Sequence, residues 1–243
     1  MLRHLGTKRT YLHNVKLASL LGITAGFINA AGFLAFGVLT TNVTGHAALF
    51  SEGIVMQQWQ TVRVIALWML LFLAGAFISS LILSRVGKNR QYSYVIPIVI
   101  EIIVLLGVAL LGHKYDNSPI AKEIFAGSLL FAMGLQNSLV SMVSGSVVRT
   151  THLTGTFTDL GIELAQYIQR KPEDRPAISI RIKLHSAIIS FFLFGALVGS
   201  YLFRLYNFYA FLVPVIILVY TLVYDVFRIT LKRYYRHLKT HGE

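Results

Sequence analysis

Thr40-Thr41-Asn42-Val43-Thr44-Gly45 recurs as Thr150-Thr151-His152-Leu153-Thr154-Gly155, with four of six positions identical at an offset of 110. Upstream, Gly26-Phe27-Ile28-Asn29 matches Gly134-Leu135-Gln136-Asn137 at an offset of 108. Downstream, Gly75-Ala76 matches Gly195-Ala196 at an offset of 120. The three matches keep one order: a long apolar stretch, a Thr-Thr-x-x-Thr-Gly turn, a short stretch, then two long ones. That order is the mark of an internal duplication. The extra residues of the second copy fall mainly in a polar loop expected at residues 169–180, which holds Pro172 and Pro176.

A helix needs about 20 mostly apolar residues to cross a bilayer. Residues 15–37, 64–83, 94–111, 182–202 and 208–229 qualify, and 124–148 is long enough although it contains Gln136 and Asn137. Residues 44–58 and 154–168 are shorter and carry His46, Glu52, Asp159 and Glu163. Stretches of that length are more often re-entrant or interfacial than spanning. Arg3, Lys8 and Arg9 precede an apolar run as in a signal peptide, but the run is too long for an h-region and reads as the first membrane helix. The expected fold is therefore an all-α membrane protein of about six spans in two three-helix repeats, each with a short re-entrant or interfacial helix after its Thr-Gly turn. Its parts are a basic cytoplasmic N-terminus (1–14), a first membrane repeat (15–112), a second (122–230) and a basic cytoplasmic tail (231–243).

The composition agrees. Only 13% of the 243 residues are charged and 55% are hydrophobic, yet the net charge is +12. Hydrophobicity at that level excludes a disordered chain. Charges outnumbered in this way argue against a nucleic-acid binder, whose basic residues sit on a polar surface. The absence of cysteine removes disulfides, thiolate metal sites and cysteine nucleophiles. With six spans and the N-terminus inside, 18 of the 22 Lys and Arg residues lie in cytoplasmic segments, as the positive-inside rule asks. Eight spans would place 17 inside, so charge alone separates the two arrangements poorly. Six spans are favoured because eight would put Arg85, Lys88 and Arg90 outside in one short loop and drive Asp159 and Glu163 across the bilayer. An odd number of spans per repeat makes the two copies inverted.

In that arrangement the two turns approach each other from opposite faces. Thr44 and Thr154 are N-cap candidates for the short helices, and Gly45 and Gly155 allow close backbone approach. Helix starts carry unpaired N–H groups and a partial positive charge, which suits an anionic or dipolar ligand. Polar side chains at matched depth, Asn29 and Asn137, are costly in lipid unless they face protein or water. The candidate substrate site is Asn29, Thr41, Thr44, Gly45 and His46 in one half and Gln136, Asn137, Thr151, Thr154 and Gly155 in the other. The competing reading makes these residues interhelical hydrogen-bonding groups alone. Glu52, Glu101, Asp159 and Glu163 fall where charge is expensive and are candidates for an ion or proton path, with Glu52 one residue out of register with Glu163. Gly22-x-x-x-Gly26 and Gly195-x-x-x-Gly199 suit close helix packing. No metal site, catalytic triad spacing, phosphate loop or nucleotide fingerprint is present in the pattern, and no cofactor is expected.

Gly26-x-x-Asn29-Ala30-x-Gly32-Phe33, Thr44-Gly45, Gly134-x-Gln136-Asn137 and the run from Arg149-Thr150-Thr151 to Asp159-Leu160-Gly161 resemble the YoaK family of bacterial multi-pass membrane proteins, a domain-of-unknown-function family. The resemblance covers about residues 17–224. It implies about six spans and transport of a small molecule across a bacterial inner membrane. The family pattern has aspartate at the position of Asn29, and Thr-Gly-Asn where this chain has Thr44-Gly45-His46. If that aspartate carries protons in relatives, this chain lacks the carrier in its first repeat.

The leading expectation is a non-enzymatic permease or channel for a small polar or anionic solute. The alternative is a scaffold or sensor acting through cytoplasmic loops, with Lys171, Glu173, Asp174 and Arg175, together with the basic tail, meeting partners. A membrane enzyme using His152, Asp159 and Glu163 is the weakest reading. The expected partners are the bilayer, with the tail at residues 232–241 against its anionic inner leaflet, and the unknown solute. Nucleic acid is not expected, and a homo-oligomer stays open.

Overall fold

A computed structural model of the chain describes residues 11–86, 93–116, 118–169, 171 and 175–225. Every regular element among them is helical: α1 (Tyr11–Phe36), α2 (Val43–Val55), α3 (Trp59–Val86), α4 (Val95–Leu111), α5 (Pro119–Ser144), α6 (Leu153–Gln169) and α7 (Arg175–Tyr206), with 3-10 turns at Gly112–Lys114 and Asn207–Phe211. A last helix, α8, is described over residues 212–225. The expectations for Arg3, Lys8, Arg9, Lys88, Arg90, Glu173, Asp174 and the basic tail lie outside the described residues.

Five helical runs are long and apolar enough to cross a membrane: Tyr11–Phe36, Trp59–Val86, Val95–Lys114, Pro119–Ser144 and Arg175–Asp225. The last has 51 residues, about 75 Å of helix at 1.5 Å per residue, more than twice a hydrocarbon core of about 30 Å. It breaks at Asn207, whose φ of 50° is left-handed. Beyond the break the chain turns back: Tyr224 lies 6.0 Å from Lys16, at the start of α1.

The helices are apolar at the centre and on their outer faces alike. The centre is made by α1 and α5, whose Leu17, Leu21, Phe27, Leu129, Met133 and Leu139 are fully buried. Around it, α3, α4 and α7 expose large apolar side chains such as Leu70, Leu73, Phe77, Ile103, Phe194 and Leu197. A helix apolar on its outer face belongs where lipid supplies the outer contact.

Glycines set the two closest helix crossings. A Cβ on Gly26 would run into the carbonyl of Phe192, and one on Gly195 into the carbonyl of Ile23. A Cβ on Gly75 would run into the carbonyl of Phe131, and one on Gly134 into that of Phe72. Thus α1 crosses α7 as α5 crosses α3, backbone against backbone, as small-residue interfaces permit. Gly22 faces Ile188 and Phe192 while Gly199 faces Phe27, so α1 and α7 run parallel. Gly127 faces Trp68 and Leu71 while Gly75 faces Leu135, so α3 and α5 also run parallel. Between α1 and α5 the direction reverses: Gln136 reaches Leu21, whereas Leu129 lies against Gly32.

Three sequence expectations change in detail. The N-cap of α2 is Asn42, whose Oδ1 accepts from Gly45 N at 2.9 Å, so Thr44 stands inside the first turn. Because α6 begins at Leu153, Thr154 is likewise inside its helix. A threonine within the first turn presents its hydroxyl sideways rather than capping, and asparagine takes the cap at least as readily. The polar loop expected at 169–180 is short, because α6 runs through Gln169 and α7 starts at Arg175 with Pro176 in its first turn, where proline is tolerated. Finally, at the offset of 110 it is Gly53 that corresponds to Glu163. Gly53 and Glu163 are buried and Glu52 is exposed, so Glu52 occupies a different helix face.

Candidate functional site

The two turns share more than sequence. Residues 41–50 and 151–160 have the same order of buried, half-buried and exposed positions, residue for residue. Each turn hangs from its preceding long helix. Asn29, on α1, accepts from Thr41 N at 3.1 Å. On the other side Gln136, on α5, donates through Nε2 to Leu21 O at 2.8 Å and to Thr150 Oγ1 at 3.4 Å, tying the second turn to α1. Ile28 holds the Gln136 position in the first half, and there Thr40 Oγ1 is buried with no partner among the described residues.

One cavity of about 610 Å³ lies between the turns. Thr41, Asn42, Val43 and Thr44 line it from one side, and Thr151, His152, Leu153 and Thr154 from the other. Met69, Phe72, Leu73 and Ala76 of α3 form an apolar wall, and Asn137 of α5 completes the lining. The Oδ1 of Asn137 is buried and has no partner among the described residues. The cavity thus offers hydroxyls, amides, an imidazole and the first turns of α2 and α6, whose leading N–H groups have no intrahelical acceptor. That set suits a small solute able to accept and donate hydrogen bonds.

Of the sequence-derived site residues, Thr41, Thr44, Asn137, Thr151 and Thr154 come together around this cavity. Asn29, Gly45, His46, Gln136 and Gly155 do not line it. Asn29 and Gln136 support the turns from behind. Gly45 lets Asn42 cap, because a Cβ there would meet the Asn42 side chain, and Gly155 gives His152 the same room. His46 is buried, its Nε2 donates to Leu39 O at 3.0 Å, and its ring faces Trp68 at 5.9 Å. Asn42 and His152 line the cavity although the sequence reading leaves both out of the substrate site, His152 entering it only in the enzyme reading. Asparagine at the start of a short apolar helix is itself an N-cap signal that points to position 42.

Two outer hollows flank the cavity. One, about 410 Å³, is lined by Gly37, Leu49, Thr61, Val64, Ile65 and Trp68, together with Glu52, Lys122 and Glu123. The other, about 420 Å³, is lined by Val147, Asp159, Arg181, Leu184, His185 and Ile188, together with Arg149 and His152. The first six of each correspond one to one, at offsets of 110 for the first two and 120 for the rest. His152 lines both the second hollow and the central cavity.

The acidic candidates separate. Glu52 and Asp159 line opposite hollows. Glu163 is buried, with Oε2 2.8 Å from His185 Nδ1 and Oε1 3.4 Å from Arg181 Nε. Glu101 is fully buried within α4, neither carboxyl oxygen has a partner among the described residues, and it lines none of these three spaces. The four do not make one continuous path.

A family profile described as a protein of unknown function (DUF1275) matches residues 17–224, a stretch that contains both turns, the cavity and both hollows. The chain belongs to this family. Membership carries no activity, since the family itself has no assigned function. Among curated proteins and among solved structures, nothing matches.

Proposed function

We propose that this protein is a non-enzymatic permease or channel for a small polar or anionic solute, built from two inverted three-span repeats in a bacterial inner membrane. The observation that carries the reading is the central cavity: two turns of matching sequence and burial, hung from helices that run in opposite directions, line a single space. Inverted repeats with broken or short helices meeting at mid-depth are a recurrent transporter plan. Six crossings follow if the break at Asn207 divides the last helical run into two spans and α2 and α6 do not cross. Both termini then lie in the cytoplasm, with most Lys and Arg residues. The YoaK resemblance belongs to the same reading.

In this reading Thr44 and Thr154, with the first-turn N–H groups of α2 and α6, bind the solute. Asn137 supplies a carbonyl acceptor, and the α3 wall excludes bulk water. The two outer hollows are the approaches from the two faces.

Solute flux into proteoliposomes tests the proposal, with a panel of small neutral, zwitterionic and anionic solutes. Thr44→Val and Thr154→Val keep shape and remove one hydroxyl each. Loss of one such hydrogen bond is worth about 1.4 kcal/mol, so each variant is expected to lose about tenfold in flux at low solute concentration. The proposal fails if no solute shows protein-dependent flux, or if both variants transport normally.

A further inference from the structure

The buried carboxylate of Glu163 on α6 pairs with the half-buried imidazole of His185 on α7, and the exposed Arg181 contacts the other carboxylate oxygen. Burying a carboxylate is costly even when it is paired, and apolar residues of similar volume often serve stability as well or better. The first half of this chain shows the cheaper solution. At the corresponding positions it has Gly53 for Glu163, Ile65 for His185 and Thr61 for Arg181, and α2 still packs on α3. The architecture therefore does not require the charged set, and its presence in one half alone calls for another role.

The geometry gives that role a direction. His185 Nδ1 donates to Glu163, which fixes the ring and leaves Nε2 as the nitrogen available to the hollow that His185 lines. A carboxylate that accepts from one imidazole nitrogen fixes the tautomer and the orientation of the ring. Histidine is the side chain whose ordinary charge change falls between pH 5 and 8. The other charged or titratable groups facing this hollow are Asp159 of α6, Arg149 and His152 of the preceding turn, and Arg181 of α7. His152 is also a wall of the central cavity.

We propose that Glu163 and His185 are the proton-coupling site of this protein, an inference that rests on the transport reading above. A proton from water in the hollow binds His185 Nε2 while Nδ1–H stays on Glu163, and the same proton returns to water when His185 is neutral again. With His185 charged, Glu163 faces two cations on α7 and holds α6 against that helix. With His185 neutral, one ion pair and one ordinary hydrogen bond remain, and α6 is freer to shift. Because Thr154 and His152 stand at the start of α6, its position sets the shape of the central cavity. Low pH therefore favours the docked position of α6, and rising pH releases it.

The absence of native cysteine makes a two-label distance measurement direct. Ile168→Cys on α6 and Leu197→Cys on α7 are exposed positions for spin labels on the purified full-length protein. The distance distribution is expected to shift reversibly between pH 5 and pH 8. Glu163→Gln and His185→Gln should each abolish the shift, whereas Asp159→Asn and His152→Gln should retain it. Should either single variant fail to fold, the double variant Glu163→Gly with His185→Ile transplants the residues of the first half, and it is expected to fold and to show no pH-dependent shift. The proposal is overturned if the parent distribution does not change with pH, or if the change survives in the Glu163 and His185 variants. The distance readout does not involve solute flux, so failure of the coupling site and failure of the transport reading are separate results.

Discussion

Gln136 illustrates how this protein uses a polar side chain at depth. Its Nε2 joins Leu21 O on α1 to Thr150 Oγ1 at the second turn. The first half manages with Ile28 in the same place. Hydrogen bonds between membrane helices average about 0.6 kcal/mol and reach about 1.7 kcal/mol. Gln136→Leu is therefore expected to cost roughly 1 kcal/mol, read as a small drop in thermal midpoint in detergent, while the second turn loosens and flux falls. Asn137, one residue on, has the opposite character: its Oδ1 is buried at the cavity without a protein partner. Asn137→Leu is expected to leave the thermal midpoint nearly unchanged or raised, because no protein hydrogen bond is lost, while reducing solute flux by about tenfold or more. A stability loss with normal flux would make Asn137 a structural residue. The sequence put both residues on one list because both were amides at depth. Only their partners separate support from lining, and partners depend on helix rotation, which composition does not specify.

At the level of helices, the decisive contacts are the two glycine crossings. Gly26 and Gly134 lie against carbonyls of α7 and α3, whereas a Cβ on Gly107 of α4 would meet nothing within 4 Å. Gly26→Val and Gly134→Val are expected to destabilise by about 2 kcal/mol or more, since added methyl groups force backbones apart. Gly107→Ala is expected to stabilise slightly, by removing a helical glycine. Thermal unfolding in detergent micelles compares the three, and equal effects would contradict the crossings described. These crossings were legible as small-x-x-x-small spacing in α1 and α7, and as the matched Gly75 and Gly195. What the sequence did not disclose is that each repeat packs its glycine on the other repeat's helix. The caps were only partly legible. Thr44 and Asn42 are both acceptable N-caps by residue type, and the geometry of the turn, with Asn29 holding Thr41 N, decides for Asn42. The Glu163–His185 contact was not legible, because its partners are 22 residues apart on separate helices.

Over the whole molecule, the proposed arrangement has two halves inserted in opposite senses. Charge distribution alone did not decide this, since six and eight spans distribute Lys and Arg almost equally. Contacts between α1 and α5, the equivalent helices of the two halves, supply the reversal. Single cysteines in this cysteine-free chain test it in cells. With six spans, Gln57→Cys is expected to react with a membrane-impermeant maleimide from outside, and Ser146→Cys only after permeabilisation; with eight spans the two patterns exchange. Both positions are exposed and have positive φ, Gln57 just beyond α2 and Ser146 just beyond α5. The central claim, however, is that turns from the two halves form one translocation site. Its most direct test is to place Thr44→Cys or Thr154→Cys in proteoliposomes and modify each with a small thiol reagent while following the transported solute. The account predicts that either modification blocks the same flux and that excess solute slows both modifications. Undiminished flux after complete modification at either position would contradict it.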